Sequence, residues 1–357
     1  MTLALDDTAR NRPVLITGGA GFIGTNLADR LLRQGRPVIV YDSLVRPGSE
    51  RNLRWLGATH GARLRVRIAD MRTTSRLREA VAEAGTVFHL ASQVAVTTSL
   101  DDPAGDFAIN AAATLDLLEM LRRRNSAAGL IFTSTNKVYG AIEDIGLVEG
   151  DSRYVPVGPL AGTGIGETRP LQFHSPYGCS KGAADQYVLD YARSYGLRTC
   201  VLRMSCIYGP HQNGTEDQGW VAHFLIRAMQ GRTITVYGNG KQVRDLLFVD
   251  DLVRALILAE HHLPEIAGRA FNIGGGPDNT VSLLELIARI AELHGEYPKV
   301  EFGDWRTGDQ RWYVSDHTRF SRITGWRPQI GVAAGIRLLH DWLLADRRGL
   351  TLLQAAQ

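Results

Sequence analysis

Short apolar runs and amphipathic stretches alternate along the first half of the chain. Residues 13–17 (PVLIT), 37–41 (PVIVY), 86–90 (TVFHL), 129–133 and 199–204 are mostly apolar and bounded by turn residues. Runs of that length read as strands buried on both faces. Residues 64–68 (LRVRI) instead alternate apolar and basic positions, as a strand with one wet face does. Between these strands, residues 22–34 show helical apolar spacing and stop at Gly35. Asp102-Pro103 reads as a cap with proline at the first helical position, opening a helix to Arg124 that carries Asn110. Strands alternating with helices predict an α/β fold with a doubly wound parallel sheet. Such sheets bind ligands at the carboxyl ends of their strands.

After Gln212 the segments shorten, with turns at Gly231, 238–240 and 274–277. Ser282 and Glu285 form a capping box that opens a helix to His294, and residues 332–346 read as a closing amphipathic helix. This predicts a smaller α/β lobe. Between the halves, residues 142–173 are rich in Gly and Pro and predict a long loop. Its position just before residue 177 suits a lid over a substrate.

Composition adds little. The chain has 357 residues, 40 basic and 37 acidic, for a net charge of +3. The basic residues are spread, which gives no signal for nucleic acid or membrane partners. The tightest run, Arg122 to Arg124, suits a helix C-terminus. Three cysteines without short metal spacings argue against a disulfide framework and a metal site. Residues 1–12 lack the apolar core of a signal peptide and read as a disordered arm. A cytoplasmic enzyme is the expectation.

The strand at 13–17 runs directly into a glycine turn, TGGAGFIG, and then a helix. In that context Gly18, Gly21 and Gly24, with Phe22 and Ile23, form a dinucleotide-binding turn of the Rossmann type. The glycines permit the tight turn and let backbone amides approach a pyrophosphate at the helix N-terminus. Asp42, ending the second strand, suits the adenosine ribose hydroxyls and repels a 2′-phosphate, which favours NAD over NADP. Arg46 nearby works against that preference. Asp70 and Met71 follow the third strand, where a loop meets the adenine. Leu90, Ala91 and Gln93 in the next turn, with Thr133, are placed against the cofactor. His89 lies in an apolar strand and reads as a packed core histidine.

Tyr177 and Lys181 stand four apart, on one face of a helix. A phenol beside an ammonium has a lowered pKa and can exchange a proton with an alcohol near neutral pH. The spacing alone also fits a solvated helix face. Arg244 and Arg311 are the cationic candidates of the second half. Either they converge on one cleft, where they would suit a diphosphate, or they remain solvated surface residues.

Taken together, TGGAGFIG, Asp42, the Ser134-Thr135 pair, Tyr177-x-x-x-Lys181, YGP at 208–210 and Arg244-Asp245 resemble the extended short-chain dehydrogenases/reductases that act on nucleotide sugars. The resemblance runs from Pro13 to about Trp342. Longer words, NLRWL, HLASQVAVTTS, STNKVYG, HSPYGCSKGAADQYVLDYAR, DQGWV, GNGKQVRD, FNIGG and GDQRW, are most similar to the CDP-tyvelose (CDP-paratose) 2-epimerases. Residues 204–207 (MSCI) depart from the His-Ser-Ser-Met run of those enzymes, and residues 142–173 have their own sequence. The resemblance implies an NAD-binding Rossmann domain mainly over 13–211. A nucleotide-sugar-binding lobe is expected mainly over 212–357, with some return to the first domain.

It further implies an NAD-dependent epimerase in which Thr135, Tyr177 and Lys181 are catalytic. Asn136, Lys137, Ser205, Arg244 and Arg311 would contact a nucleotide sugar, with a CDP-hexose favoured. The reaction expected is inversion at C2 through a transient keto sugar. A C4-epimerase of a UDP-hexose is the alternative. Related 4,6-dehydratases carry an acidic pair where this chain has Asn136-Lys137, which lowers that reading. A non-catalytic NAD-binding sensor would be expected to lose Tyr177 or Lys181. The family also implies a homo-oligomer, a dimer or tetramer, paired through the helices around Asn110 and Tyr177.

Overall fold

The computed structural model describes residues 12–306 and 308–355, with side chains to residue 346. Of the expected arm at 1–12, residues 1–11 lie outside the described residues. Arg12 is anchored: its guanidinium donates to the carbonyls of Glu83 and Ala82 and to the Asn125 side chain.

The strands in chain order are β1 (Val14–Thr17), β2 (Val38–Asp42), β3 (Leu64–Ile68), β4 (Thr86–His89), β5 (Gly129–Thr135), β6 (Leu147–Glu149), β7 (Tyr154–Pro156), β8 (Thr199–Met204), β9 (Cys206–Tyr208), β10 (Ile234–Tyr237), β11 (Val243–Phe248), β12 (Arg269–Ile273), β13 (Thr280–Ser282), β14 (Val300–Gly303) and β15 (Trp312–Tyr313). Seven of them form one parallel sheet in the order β12-β8-β5-β4-β1-β2-β3. The chain reverses its course across the sheet between β1 and β4, and a crevice opens at such a point. The apolar runs make β1, β2, β4 and β5 buried almost throughout, while β3, the alternating strand, lies half-exposed at the edge. Successive side chains feed opposite faces. Val14, Ile16, Val38 and Val40 pack into one core and Leu15, Ile39 and Tyr41 into the other.

The helix after Asp102 is capped as the sequence predicts, the Asp102 side chain accepting from Gly105 N. It is widened by a π-turn at Ala108–Ala112, which contains Asn110, before continuing over Ala113–Arg124. His89 is sealed in the core between the hydroxyls of Thr17 (2.7 Å) and Thr114 (2.9 Å). Burial lowers its pKa to about 3, so the ring is neutral.

The second half forms smaller sheets around β11, which pairs with β9, β13 and β15, and a β10–β14 pair. The capping box at Ser282 and Glu285 is present. β12 returns from this half to the edge of the main sheet beside β8.

Residues 142–173 differ from the expectation of a loop. They hold the β6–β7 hairpin and a short helix, Leu160–Thr163. The segment is docked: Ile142 and Ile165 are buried with Val243, Trp312 and Tyr313, and the Arg153 guanidinium pairs with Glu285. Isolated buried side chains between glycines, rather than a periodic stripe, hold it in place, which is why no element was legible there.

Candidate active site

The carboxyl ends of β1, β2, β4, β5 and β8 open into a cavity of about 1020 Å³, whose opposite wall comes from residues 211–244 and 304–309. Gly18, Gly21, Phe22, Ile23, Gly24, Asp42, Asp70, Met71, Leu90, Ala91, Gln93 and Thr133 all line it, as do Thr135, Asn136, Lys137, Tyr177, Lys181, Ser205 and Arg244. The sites expected on separate segments of the sheet therefore meet in one place. No residue of 142–173 is among the lining, so that segment does not cover this cavity.

The glycine turn fits a dinucleotide for steric reasons. Gly18 has φ +70°, and a Cβ there would lie 2.7 Å from Ala91 N. A Cβ on Gly24 would lie 2.3 Å from Gly18 O. The close turn places the amides at the start of the helix Phe22–Arg33, which has no acidic residue in its first turn, toward the cavity. The Asp42 carboxylate accepts Ala20 N–H at 3.0 Å and Leu44 N–H at 2.8 Å. Each oxygen keeps acceptor capacity for a sugar hydroxyl. Asp70 is held by Arg72, whose guanidinium lowers the carboxyl pKa. Cavity-lining Gln93 Oε1 and Ser134 Oγ are buried and lack a partner, which a polar ligand would supply. These features fit NAD.

Tyr177 and Lys181 sit in the first turns of the helix Ser175–Tyr195, and both are buried. The expected lowering of the phenol by Lys181 is not what the structure gives. Burial pushes Tyr177 up to about 12; a hydrogen bond with Thr135 and the charge of Arg46 pull down, and Asp106 pushes up. The reason is direction. The Lys181 ammonium donates to Thr133 O at 2.7 Å and lies 4.2 Å from the Phe132 ring centroid, spending its charge on the sheet. Burial in turn lowers the Lys181 pKa to about 7, with Asp185 and Asp106 opposing.

Thr135 ends β5, and its hydroxyl accepts Lys137 N–H at 3.2 Å. Asn136 bonds Gln310 at 3.3 Å. The Ser205 hydroxyl donates to Asp245, so it reaches the cavity already engaged. Arg244 is 6% exposed and pairs with Asp309 at 2.6 Å. Arg311 does not join it. That side chain is exposed, near the rings of Tyr154 (5.7 Å) and Trp305 (5.6 Å), and is outside the lining. Arg306 joins Arg244 on the lobe wall of the cavity, stacked 3.9 Å from the Tyr237 ring centroid. Arg306 and Arg311 lie in one short segment, and the turn at 308 decides which faces inward. Sequence periodicity carries no signal for that.

A second group missed by the sequence reading lies beneath Tyr177. Asp106 accepts from Ser180 and from Asn110 (3.1 Å), and Asn110 Oδ1 accepts from Ser92 (2.7 Å) and Gln93 N (3.0 Å). The widened turn around Asn110 thus ties the helix Ser175–Tyr195 to the turn after β4.

Residues 14–274 match the model of the NAD dependent epimerase/dehydratase family. The chain belongs to that family. Among curated members of this epimerase family it is 42% identical over 342 residues to the CDP-paratose 2-epimerase of Salmonella typhi, covering 92% of this chain and 98% of the relative. It is 34% identical over 329 residues to a UDP-glucose 4-epimerase of Mycolicibacterium smegmatis, covering 90% and 95%. Among solved structures, the Thermus thermophilus UDP-glucose 4-epimerase in complex with NAD matches with TM-score 0.76 at 33% identity, over 92% of this chain and 98% of that one. The Thermotoga maritima UDP-glucose 4-epimerase with UDP-glucose matches with TM-score 0.79 at 30% identity, over 95% and 99%. Among the described residues no helix is long and apolar enough to cross a membrane.

Proposed function

We propose that this chain epimerises a nucleotide-activated hexose, a CDP-hexose at C2, by oxidation to a keto sugar and re-reduction on the opposite face. One observation carries the reading: Thr135 and Tyr177 line the same cavity as the glycine turn on one wall and Arg244 and Arg306 on the other. The glycine turn, Asp42, Asp70 and the turn after β4 would hold NAD, which when bound supplies an acceptor for the hydride of the sugar carbon and gives it back. Tyr177 takes the proton of the sugar hydroxyl and returns it to the same oxygen. Thr135 positions that oxygen. The phenol keeps its proton in the ligand-free protein, so a positive charge must arrive before it accepts one; Arg46 already acts in that direction. Lys181 stiffens the β5 end through Thr133 O. Arg244 and Arg306 would pair with the diphosphate.

The likeness to a CDP-paratose 2-epimerase supports C2 and the cytidine nucleotide. Chemistry narrows the route: a ketone at C4 acidifies C3 and C5, so C2 inversion calls for oxidation at C2 itself. Asn136 and Lys137 beside Thr135 supply no carboxylate for a dehydratase. We read residues 13–211 as mainly the cofactor half and 212–357 as mainly the substrate half. A homo-oligomer is part of the proposal, supported by the exposed rings of Phe107, Tyr187 and Tyr195 on the helices around Asn110 and Tyr177.

The test is incubation with CDP-, UDP-, GDP- and dTDP-hexoses in D₂O, followed by NMR. Inversion at C2 without solvent deuterium is expected. Inversion only at C4 of a UDP-hexose, or deuterium at the inverted carbon, would overturn the reading.

A further inference from the structure

Lys137 is a cation in an unusual place. It lies in the turn Asn136–Tyr139, directly after Thr135, and its backbone N–H is bonded to the Thr135 hydroxyl. Its side chain lines the cavity and reaches the neighbouring 308–310 segment, where the ammonium meets Gly308 O at 3.3 Å and Asp309 Oδ1 at 3.8 Å. The second distance is an ion pair, too long for a hydrogen bond. An ammonium has three donors. Among the described residues this one fills a single donor with a carbonyl.

The neighbours show what the remaining donors could take. Asp309 is shared: it pairs with Lys137 and, more closely, with Arg244. Two basic side chains therefore share one carboxylate; burial and the charge of Arg244 lower the Lys137 pKa, and Asp309 opposes them. Burial tends to raise the Asp309 pKa, yet Arg244 and Lys137 hold it below the usual range, so the carboxylate is ionised. Lys137 lies two residues after Thr135 in the chain and lines the same cavity, and Asp309 links its ammonium to Arg244.

That placement matters for the carbon being oxidised. C2 of a nucleotide sugar is bonded to the anomeric carbon, and the sugar-linked phosphate hangs from that neighbour through one oxygen. C4 lies across the ring. An enzyme that holds O2 at Thr135 must therefore accept a phosphate close beside the same residue. One that holds O4 there keeps its phosphate a ring's width away, within reach of the lobe arginines.

We propose that Lys137 binds the sugar-linked phosphate next to Thr135 and so presents C2, rather than C4, for oxidation. This rests on the diphosphate-sugar reading above. Gly308 and Asp309 hold the ammonium in place until the phosphate fills its free donors. Arg244 and Arg306 then serve the rest of the diphosphate from the lobe side.

The test separates this role from a latch between Lys137 and the 304–310 segment. Binding of CDP and of CMP to the purified enzyme is measured by calorimetry for wild type, Lys137→Met and Lys137→Arg. CMP lacks the phosphate that Lys137 is assigned. Lys137→Met is expected to weaken CDP by about tenfold to hundredfold, the range of a charge-assisted hydrogen bond, with CMP changed by less than about twofold. Lys137→Arg is expected to recover much of the CDP affinity. Equal CDP binding by wild type and Lys137→Met would overturn the proposal, and so would equal loss of CDP and CMP. Should Lys137→Met not fold, Lys137→Gln takes its place in the same comparison. The binding arms need no turnover, so they report on Lys137 alone. Absence of C2 inversion by the wild type in the sugar panel would instead sink the functional reading.

Discussion

The sheet side of the cavity and the lobe side hold their polar groups by different means. On the sheet side, strand ends and turns fix them through backbone bonds: Asp42 on the amides of Ala20 and Leu44, Lys181 on Thr133 O, and Asn110 on Gln93 N. On the lobe side, side chains from distant segments hold one another by charge. Arg244 from β11 meets Asp309, and Arg306 faces Glu216 and Asp217. The first arrangement is set before any ligand arrives. The second consists of ion pairs that an anionic ligand can enter by exchanging one partner for another. On the function proposed above, catalytic geometry and substrate identity would thus be divided between a rigid wall and an exchangeable one.

The largest effect should come from the rigid wall. Tyr177→Phe removes only the proton path, and turnover should fall by about 10²- to 10⁴-fold while NAD stays bound. Single-turnover kinetics and dinucleotide released on denaturation check both halves; near-normal turnover would break the division at its centre. Arg244→Ala tests the other wall. It should lower kcat/KM by about tenfold to hundredfold, mainly through KM, because a buried charge-assisted contact is lost and Asp309 is left partly unpaired. Arg311→Ala, at a solvated position, should change KM by less than about twofold. Equal effects from the two would mean that Arg311 swings inward on binding.

Gly24→Ala probes the glycine turn. Its Cβ would press on Gly18 O and Gly19 Cα, both backbone atoms that cannot step aside. A loss of about 1–3 kcal/mol in stability is expected, with less copurified NAD. Denaturant unfolding and dinucleotide content read the two separately.

The last test concerns pH. Burial leaves Lys181 with a pKa of about 7, against 10.5 in the unfolded chain. Between those values the unfolded chain binds more protons than the folded one, so stability from this group rises with pH across that window and is flat above it. The slope should shrink in Lys181→Met. Melting temperatures of both proteins from pH 7 to 10 check the sign, and an unchanged slope would mean that Lys181 is charged in the folded protein.

How much of this was readable in advance follows the same division. Six of the seven strands of the main sheet, the glycine turn, Asp42 and the i, i+4 placement of Tyr177 and Lys181 are written in local spacing, whereas Arg269–Ile273 joins the sheet from the far half of the chain. The reason is that a parallel strand buried on both faces needs an unbroken apolar run, and its ligand-binding turn follows within a few residues. The same locality misled in one respect. Spacing placed an ammonium beside the phenol, whereas the packed helix turned Lys181 to Thr133 and left burial to raise Tyr177.

By itself, then, the sequence determined the fold class, the glycine turn and the placement of Tyr177 and Lys181 on one helix, because each depends on neighbours along the chain. Only the tertiary structure decided that Arg306 rather than Arg311 enters the cavity, that Asp106 and Asn110 brace the helix from beneath, and that residues 142–173 dock away from the cavity. Those outcomes depend on which charged and buried groups meet across long stretches of chain. Their energies come from pairs whose members carry no local mark of one another.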